Sequence, residues 1–148
     1  MKVVINNKFG GFGLSVAGTL KYAELKGIKV YGYTDDRYKS SDHLTREKSF
    51  TRIDDFDSME KDPFMVFWLT VDVGKNPKEL PPHDGWLENG REMERHDPAL
   101  VKTVKLLGKK ANGMCADLKI VETPDGVDYV IEEYDGNEHI AEKHRTWA

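Results

Sequence analysis

Two short segments at opposite ends of the 148-residue sequence hold the residues best suited to bind a phosphorylated ligand. The first, KFGGFGLS at residues 8–15, stands between a β-branched run and a helical pattern. Its backbone N–H groups could therefore meet a phosphate at a helix N-terminus. The second, HRTW at residues 144–147, combines an imidazole, a guanidinium and an indole, which suit a pyrophosphate and an aromatic base.

Each segment also has a purely structural interpretation. The G-G-x-G spacing of residues 10–13 is neither the dinucleotide fingerprint nor a P-loop, so the loop also fits a tight turn with Phe9 and Phe12 packed inward. The C-terminal segment also fits an edge strand in which Trp147 covers the core and Arg145 pairs with a carboxylate such as Glu133. Spacing alone leaves both interpretations open.

The residues that could act as catalysts or metal ligands show no recognisable spacing. No HExxH or GxSxG motif occurs, so the sequence predicts no catalytic residue, no metal and no cofactor. The single cysteine excludes an intramolecular disulfide, and we expect it to be a small buried hydrophobic residue. The candidates considered are Cys115, His43, His83, His96, His139 and His144.

Aromatic and basic side chains alternate between residues 31 and 56, a pattern that could line a nucleotide pocket or a groove for single-stranded nucleic acid. Acidic residues at positions 35–57 cancel most of that charge, so a solvated loop or a subunit contact is favoured. Over the whole chain, 26 acidic residues against 22 Lys and Arg give a formal net charge of −4, which predicts no DNA partner. No apolar run is long enough to span a bilayer, so we expect a cytoplasmic protein without a membrane partner.

The N-terminal third alternates strand and helix signals. Residues 2–7 form a β-branched run that predicts a buried first strand. Ser15 is a suitable N-cap for a helix that Gly27 can end, and residues 28–34 predict a second strand. A second helix begins at Asp97, followed by proline at the first helical position, and ends at Gly108 or at the later Asn-Gly pair.

Three strand-like segments follow the second helix and are joined by turn sequences at 124–126 and 135–136, which predicts a C-terminal antiparallel β-meander. Residues 35–95 are interpreted as a variable excursion containing one central strand at 64–73. The sequence therefore predicts a single α+β domain over residues 1–148, mainly an antiparallel sheet packed against two helices.

The two ends of the chain resemble a family of small phage and prophage proteins with a GGFGLS-type loop and an HRTW-type ending. The helix DPALVKTVKLLGKKANG and the segment LKIVETPDGVDYVIEEYDG fit the same pattern. The resemblance covers about half of the chain, and residues 35–95 lie outside it. On these motifs the chain is similar to the Thoeris anti-defence 1 family of phage sponge proteins.

This resemblance implies a non-catalytic protein that captures glycocyclic ADP-ribose, the signal of bacterial TIR-domain proteins, in the host bacterial cytoplasm during infection. It also implies a possible second site for a cyclic trinucleotide and a homo-oligomer, either a dimer or a hexamer built from dimers. We expect the loop to contact phosphate or ribose, Arg145 to bind the pyrophosphate, and Phe12 or Trp147 to lie beside the base. The predicted ligand-binding residues are Gly11, Phe12, Gly13, Leu14, Ser15, His144, Arg145 and Trp147.

Two other functional classes remain open at this stage. A phage nucleotide-processing enzyme could cleave the cyclic nucleotide signal, with His144, His139 and a carboxylate as acid and base. An interaction protein could instead block a host factor through the middle segment, 35–95, and would bind no nucleotide. The fate of the ligand separates these classes.

Overall fold

The computed structural model describes residues 1–39, 47–82, 84–88 and 93–143. Within these residues the secondary structure consists of β-strands in antiparallel pairs and two α-helices, which confirms the predicted α+β class. The chain divides into two compact units, Met1–Lys26 with Asn89–Ala148 and Gly27–Glu88, called unit 1 and unit 2 below. The single-domain organisation stays a prediction. In chain order the elements are β1 (Lys2–Asn6), α1 (Val16–Lys26), β2 (Tyr31–Asp35), β3 (Phe50–Arg52), β4 (Phe67–Leu69), α2 (Pro98–Leu107), β5 (Leu118–Glu122), β6 (Tyr129–Tyr134) and β7 (Asn137–Glu142).

Both helices begin and end where the sequence predicts, because their caps are local. The Ser15 hydroxyl accepts a hydrogen bond from the N–H of Gly18, and the Asp97 carboxylate accepts one from the N–H of Ala99. Gly27 follows α1 with φ at +70°, a conformation that suits glycine at a helix C-terminus. Within the described parts of the chain, no helix has the length and apolar character needed to cross a membrane.

Unit 1 is built on a pairing between the two ends of the chain. β1 runs antiparallel to β5, with Lys2 opposite Glu122 and Asn6 opposite Leu118. β6 and β7 form a hairpin through Asp135 and Gly136, both at positive φ, as the Asp-Gly sequence predicts. The C-terminal strands therefore differ from a continuous meander, because β5 pairs with β1 and only β6 and β7 pair with each other.

Unit 2 contains a three-stranded sheet in the order β3-β2-β4, with a core of Tyr33, Phe50 and Leu69. The expected central strand at 64–73 is wrong in extent and position, because only β4 is a strand there and β2 is the central one. Phe64 is 69% exposed, so apolar composition alone did not indicate burial. The segment 35–95 also contains β3, which the sequence did not predict.

Oppositely charged side chains of unit 2 pair with one another, as the cancelling composition predicts. Arg37 binds Asp35 through its guanidinium, and Arg52 contacts both Asp54 and Asp72. Most of the cationic side chains that suggested a nucleic-acid groove therefore already have acidic partners. These ion pairs join residues of unit 2 to one another.

Asp36 gives unit 2 a testable pH dependence. Its carboxylate accepts hydrogen bonds from the hydroxyls of Ser49 and Thr51, each at 2.6 Å, and pairs with the Lys39 ammonium at 2.9 Å. Burial alone would raise the pKa of Asp36, but these contacts outweigh it and lower the pKa to about 2.

A carboxyl pKa that is lower in the folded state stabilises the fold above its ordinary value, about 4, and this stabilisation is lost as the pH falls through that value toward 2. We therefore expect the difference in unfolding free energy between the wild type and Asp36→Asn to be constant above about pH 5 and to shrink toward pH 2. Urea denaturation monitored by tryptophan fluorescence measures this difference, because Trp68 and Trp86 both belong to unit 2. A difference that did not change with pH would contradict the assignment.

Candidate ligand-binding site

The glycine loop joins β1 to α1, and its Ser15 is fully engaged by the protein itself. The Ser15 hydroxyl donates to the carbonyl of Lys110 at 2.5 Å while it accepts from Gly18 at 3.0 Å. The Ser15 N–H donates to the carbonyl of Ala111 at 2.9 Å. Ser15 therefore caps α1 and fastens the loop to the turn after α2, and a ligand contact by its hydroxyl stays a prediction.

The glycines of this loop permit close backbone contacts. A Cβ added to Gly136 at the hairpin tip would lie 2.3 Å from the nitrogen of Gly11, and one added to Gly113 would lie 2.9 Å from the carbonyl of Gly13. The Gly10 N–H donates to the carbonyl of Asp135 at 2.9 Å. The loop thus docks on the β6–β7 hairpin and on the 113–116 turn, and this close approach accounts for Gly113 and Gly136. Within the loop it accounts for Gly10, where a Cβ would lie 2.7 Å from Cβ of Cys115, whereas a Cβ on Gly11 or Gly13 would meet nothing within 4 Å. Leu14 forms an isolated bridge with Asn112.

The two phenylalanines of the loop have different surroundings. Phe12 is buried, and the Arg95 guanidinium carbon lies 3.7 Å from its ring centroid. Phe9 is exposed and makes an edge contact with Tyr134. The inward packing expected of both rings is therefore found for Phe12 alone. One face of Phe12 is covered by Arg95, so a ligand base does not have that face available.

Arg95 is a residue that no sequence motif singles out. Its guanidinium forms a two-pronged ion pair with Glu138, at 2.6 and 2.9 Å, and both side chains are almost fully buried. Oε1 of Glu138 also accepts the backbone N–H of Asn6 at 2.8 Å. The Asn6 amide then donates to the carbonyl of Gly136 and accepts from the N–H of Asp117. These bonds connect β1, β7 and the hairpin tip around the Arg95 guanidinium, which lies over the Phe12 ring.

This ion pair forms one wall of a cleft in unit 1, which we call the Arg95 cleft. Its volume of about 490 Å³ falls within the range of roughly 300–1,000 Å³ that is usual for small-molecule sites. Alternate residues of β6 line it, because successive side chains of a strand point to opposite faces. The lining residues are Met93, Glu94, Arg95, Tyr129, Ile131, Glu133 and Glu138.

Tyr129 and Glu94, which line this cleft, both contact His96. Nδ1 of His96 lies 2.7 Å from the Tyr129 hydroxyl, and Nε2 lies 2.9 Å from a carboxylate oxygen of Glu94. Because a carboxylate accepts, Nε2 carries the hydrogen that points toward Glu94. Burial, reinforced by the Glu94 charge, raises the pKa of Tyr129, which keeps its hydroxyl protonated. The rings meet edge to face and are held in place.

Three of the predicted site residues, His144, Arg145 and Trp147, lie outside the described residues, as do His43 and His83. The chain reaches this segment from β7, whose Glu142 pairs with Tyr129 at the end of the hairpin. The Lys143 N–H donates to the carbonyl of Asp128 at 2.9 Å. The described part of the C-terminus therefore ends beside a residue of the Arg95 cleft.

The structure separates His139 from this cleft. His139 is opposite Glu132 in the hairpin, and its Nε2 lies 2.9 Å from that carboxylate on an exposed surface. Tyr129, Ile131 and Glu133 point to the other face of β6, toward the cleft.

The expectation that Cys115 is a buried hydrophobic residue was wrong, since its side chain is exposed where the 113–116 turn meets Gly10.

Among the described residues, no group of three or more His, Cys, Asp or Glu side chains is arranged to hold a metal ion. The recognition groups of the Arg95 cleft are carboxylates, a phenol and a fixed guanidinium.

In comparisons with known proteins, no family model, no curated protein and no solved structure matches this chain.

Proposed function

We propose that this protein is a phage anti-defence sponge that binds and sequesters glycocyclic ADP-ribose without cleaving it. The observation that supports the proposal best is the Arg95 cleft, which is of ligand size and combines an aromatic ring with carboxylates. Tyr129 offers its ring to a base, and the Glu94 carboxylate offers acceptors to ribose hydroxyls and to the exocyclic amine of adenine.

The remaining recognition groups of the proposal come from the two sequence motifs. A pyrophosphate requires cationic or N–H donors, and the Arg95 guanidinium is already bound to Glu138. The proposal therefore assigns the pyrophosphate to Arg145 and to the N–H groups of the glycine loop between Gly11 and Ser15. The proposal assigns the base to Trp147 and a further ligand contact to His144.

The proposal includes self-association and a location in the host cytoplasm. A sponge must hold its ligand tightly, and the interface between subunits can enclose a ligand more completely than one small chain can. A homodimer, or a hexamer built from dimers, is the proposed assembly. A cyclic trinucleotide is the proposed second ligand.

The test is to follow the fate of the ligand. Purified protein is mixed with cyclic ADP-ribose isomers and cyclic oligonucleotides, separated from free compounds by filtration, and heated to release what it retained. Mass spectrometry is expected to find the intact isomer at a fixed ratio to protein. An altered product would support the nucleotide-processing enzyme, and no depletion of any compound would favour an interaction protein.

Arg145→Ala is expected to weaken binding of the retained isomer at least about tenfold, because a charge-assisted contact contributes roughly 1.5–3 kcal/mol. Isothermal titration calorimetry measures the affinity. Lys119→Ala is the control, since Lys119 is exposed on β5 and belongs to neither of the two sequence motifs. His139→Ala is expected to leave affinity and ligand fate unchanged. Equal affinities for the wild type and Arg145→Ala would refute the pyrophosphate assignment.

A further inference from the structure

A second cleft of unit 1 lies where β1 passes α2, and its rim is cationic. Its volume is about 430 Å³. Pro98, Val101, Lys102 and Lys105 follow the spacing i, i+3, i+4, i+7, which places them on one face of α2. Lys2 of β1 and His96 complete the lining together with Met1. We call this the lysine cleft.

Among the residues that the structure describes, no carboxylate forms an ion pair with the lysines of this cleft. Within the described parts of the chain, Lys2, Lys102 and Lys105 form no ion pair. Lys2 and Lys105 instead line the same cleft, and the Lys2 ammonium lowers the pKa of Lys105, while the Glu122 carboxylate acts weakly in the opposite direction. Two like charges are therefore brought together at a cleft, an arrangement that a bound anion would stabilise.

The floor of the cleft is apolar, since Pro98 and Val101, which is 8% exposed, both line it. The three lysines themselves are exposed, so salt screens their attraction for an anion. His96 adds no free donor, since both of its ring nitrogens already contact Tyr129 and Glu94. The lysine ammonium groups are thus the recognition elements.

We propose that the lysine cleft is a binding site for a small phosphorylated anion of the pyrophosphate class. A pyrophosphate offers oxygens to several ammonium groups at once, which matches lysines contributed by two different elements. The inference stands independently of the proposed function, because it needs no base, no ribose and neither sequence motif.

Inorganic pyrophosphate is the probe, titrated into the full chain at low ionic strength and measured by calorimetry. Lys2→Gln/Lys102→Gln/Lys105→Gln is expected to weaken binding at least about tenfold. The matched control is Lys109→Gln/Lys110→Gln/Lys119→Gln, which removes the same number of charges from exposed positions outside the cleft. Circular dichroism checks that both variants remain folded.

NMR titration of the lysine side chains supplies the second measurement. Pyrophosphate is expected to raise the pKa of Lys105, and Lys2→Gln is expected to raise it in the absence of any ligand. The proposal is overturned if the wild type does not bind pyrophosphate or if both triple variants lose equal affinity. It is also overturned if anionic phospholipid vesicles or a single-stranded oligonucleotide bind the cleft and pyrophosphate does not. A wild-type protein that binds pyrophosphate but does not bind glycocyclic ADP-ribose would contradict the proposed function alone.

Discussion

Glu138→Gln is expected to lower the free energy of unfolding of unit 1 by about 3–5 kcal/mol, because it leaves the buried Arg95 guanidinium without its countercharge. The amide of glutamine cannot accept both guanidinium N–H groups and the N–H of Asn6 as the carboxylate does. The loss should be accompanied by weaker packing of Arg95 over Phe12.

Urea denaturation followed by circular dichroism at the helix band measures this loss, since α1 and α2 both belong to unit 1. Glu132→Gln is the matched control on the same hairpin. Glu132 pairs with His139 on an exposed surface, so its replacement should cost less than about 1 kcal/mol. Equal losses in the two variants would show that the buried pair contributes no more than an exposed one.

The double variant Arg95→Met/Glu138→Leu separates the pairing from the burial. Removing both charges leaves neither uncompensated, so the double variant should be more stable than Glu138→Gln despite the greater change in sequence. Ligand binding by this variant is a separate measurement. If the fixed Arg95 guanidinium shapes the Arg95 cleft, the double variant should remain folded but bind glycocyclic ADP-ribose more weakly than the wild type.

Among the described glycines at turns of unit 1, Gly136 should be the one whose replacement by Ala destabilises unit 1 most. The new Cβ would lie 2.3 Å from the Gly11 nitrogen and 2.8 Å from the Gly10 carbonyl carbon, both of which are backbone atoms. The position also has φ at +84°, which adds strain for an L-residue. Strain and overpacking together should cost about 2–5 kcal/mol and separate the hairpin tip from the glycine loop.

Gly126→Ala is the control for this prediction. Gly126 also follows an aspartate and has φ at +78°, but an added Cβ there would meet nothing within 4 Å. Its cost should therefore be the conformational strain alone, about 1–2 kcal/mol. Hydrogen exchange of the Gly10 N–H, which donates to Asp135, reports the detachment directly. Equal costs and unchanged exchange would mean that the loop adjusts freely around the new methyl group.

The elements that the sequence predicted well are those set by a few neighbouring residues. Ser15 and Asp97 mark helix starts because each caps N–H groups two or three positions away. Asp135-Gly136 marks a hairpin because both residues adopt positive φ. The expected central strand at 64–73 failed because apolar composition does not specify which side chains become buried.

The sequence by itself determined the α+β class, the caps of both helices and the hairpin turn, because these depend on local backbone conformation and local hydrogen bonds. Tertiary structure alone decided that β1 pairs with β5, that Arg95 binds Glu138, and that Lys2 lies beside Lys105. Such partners are far apart in the chain, and their choice depends on how the whole unit buries apolar surface while satisfying buried polar groups. Both clefts follow from these pairings, and for that reason no sequence motif marks them.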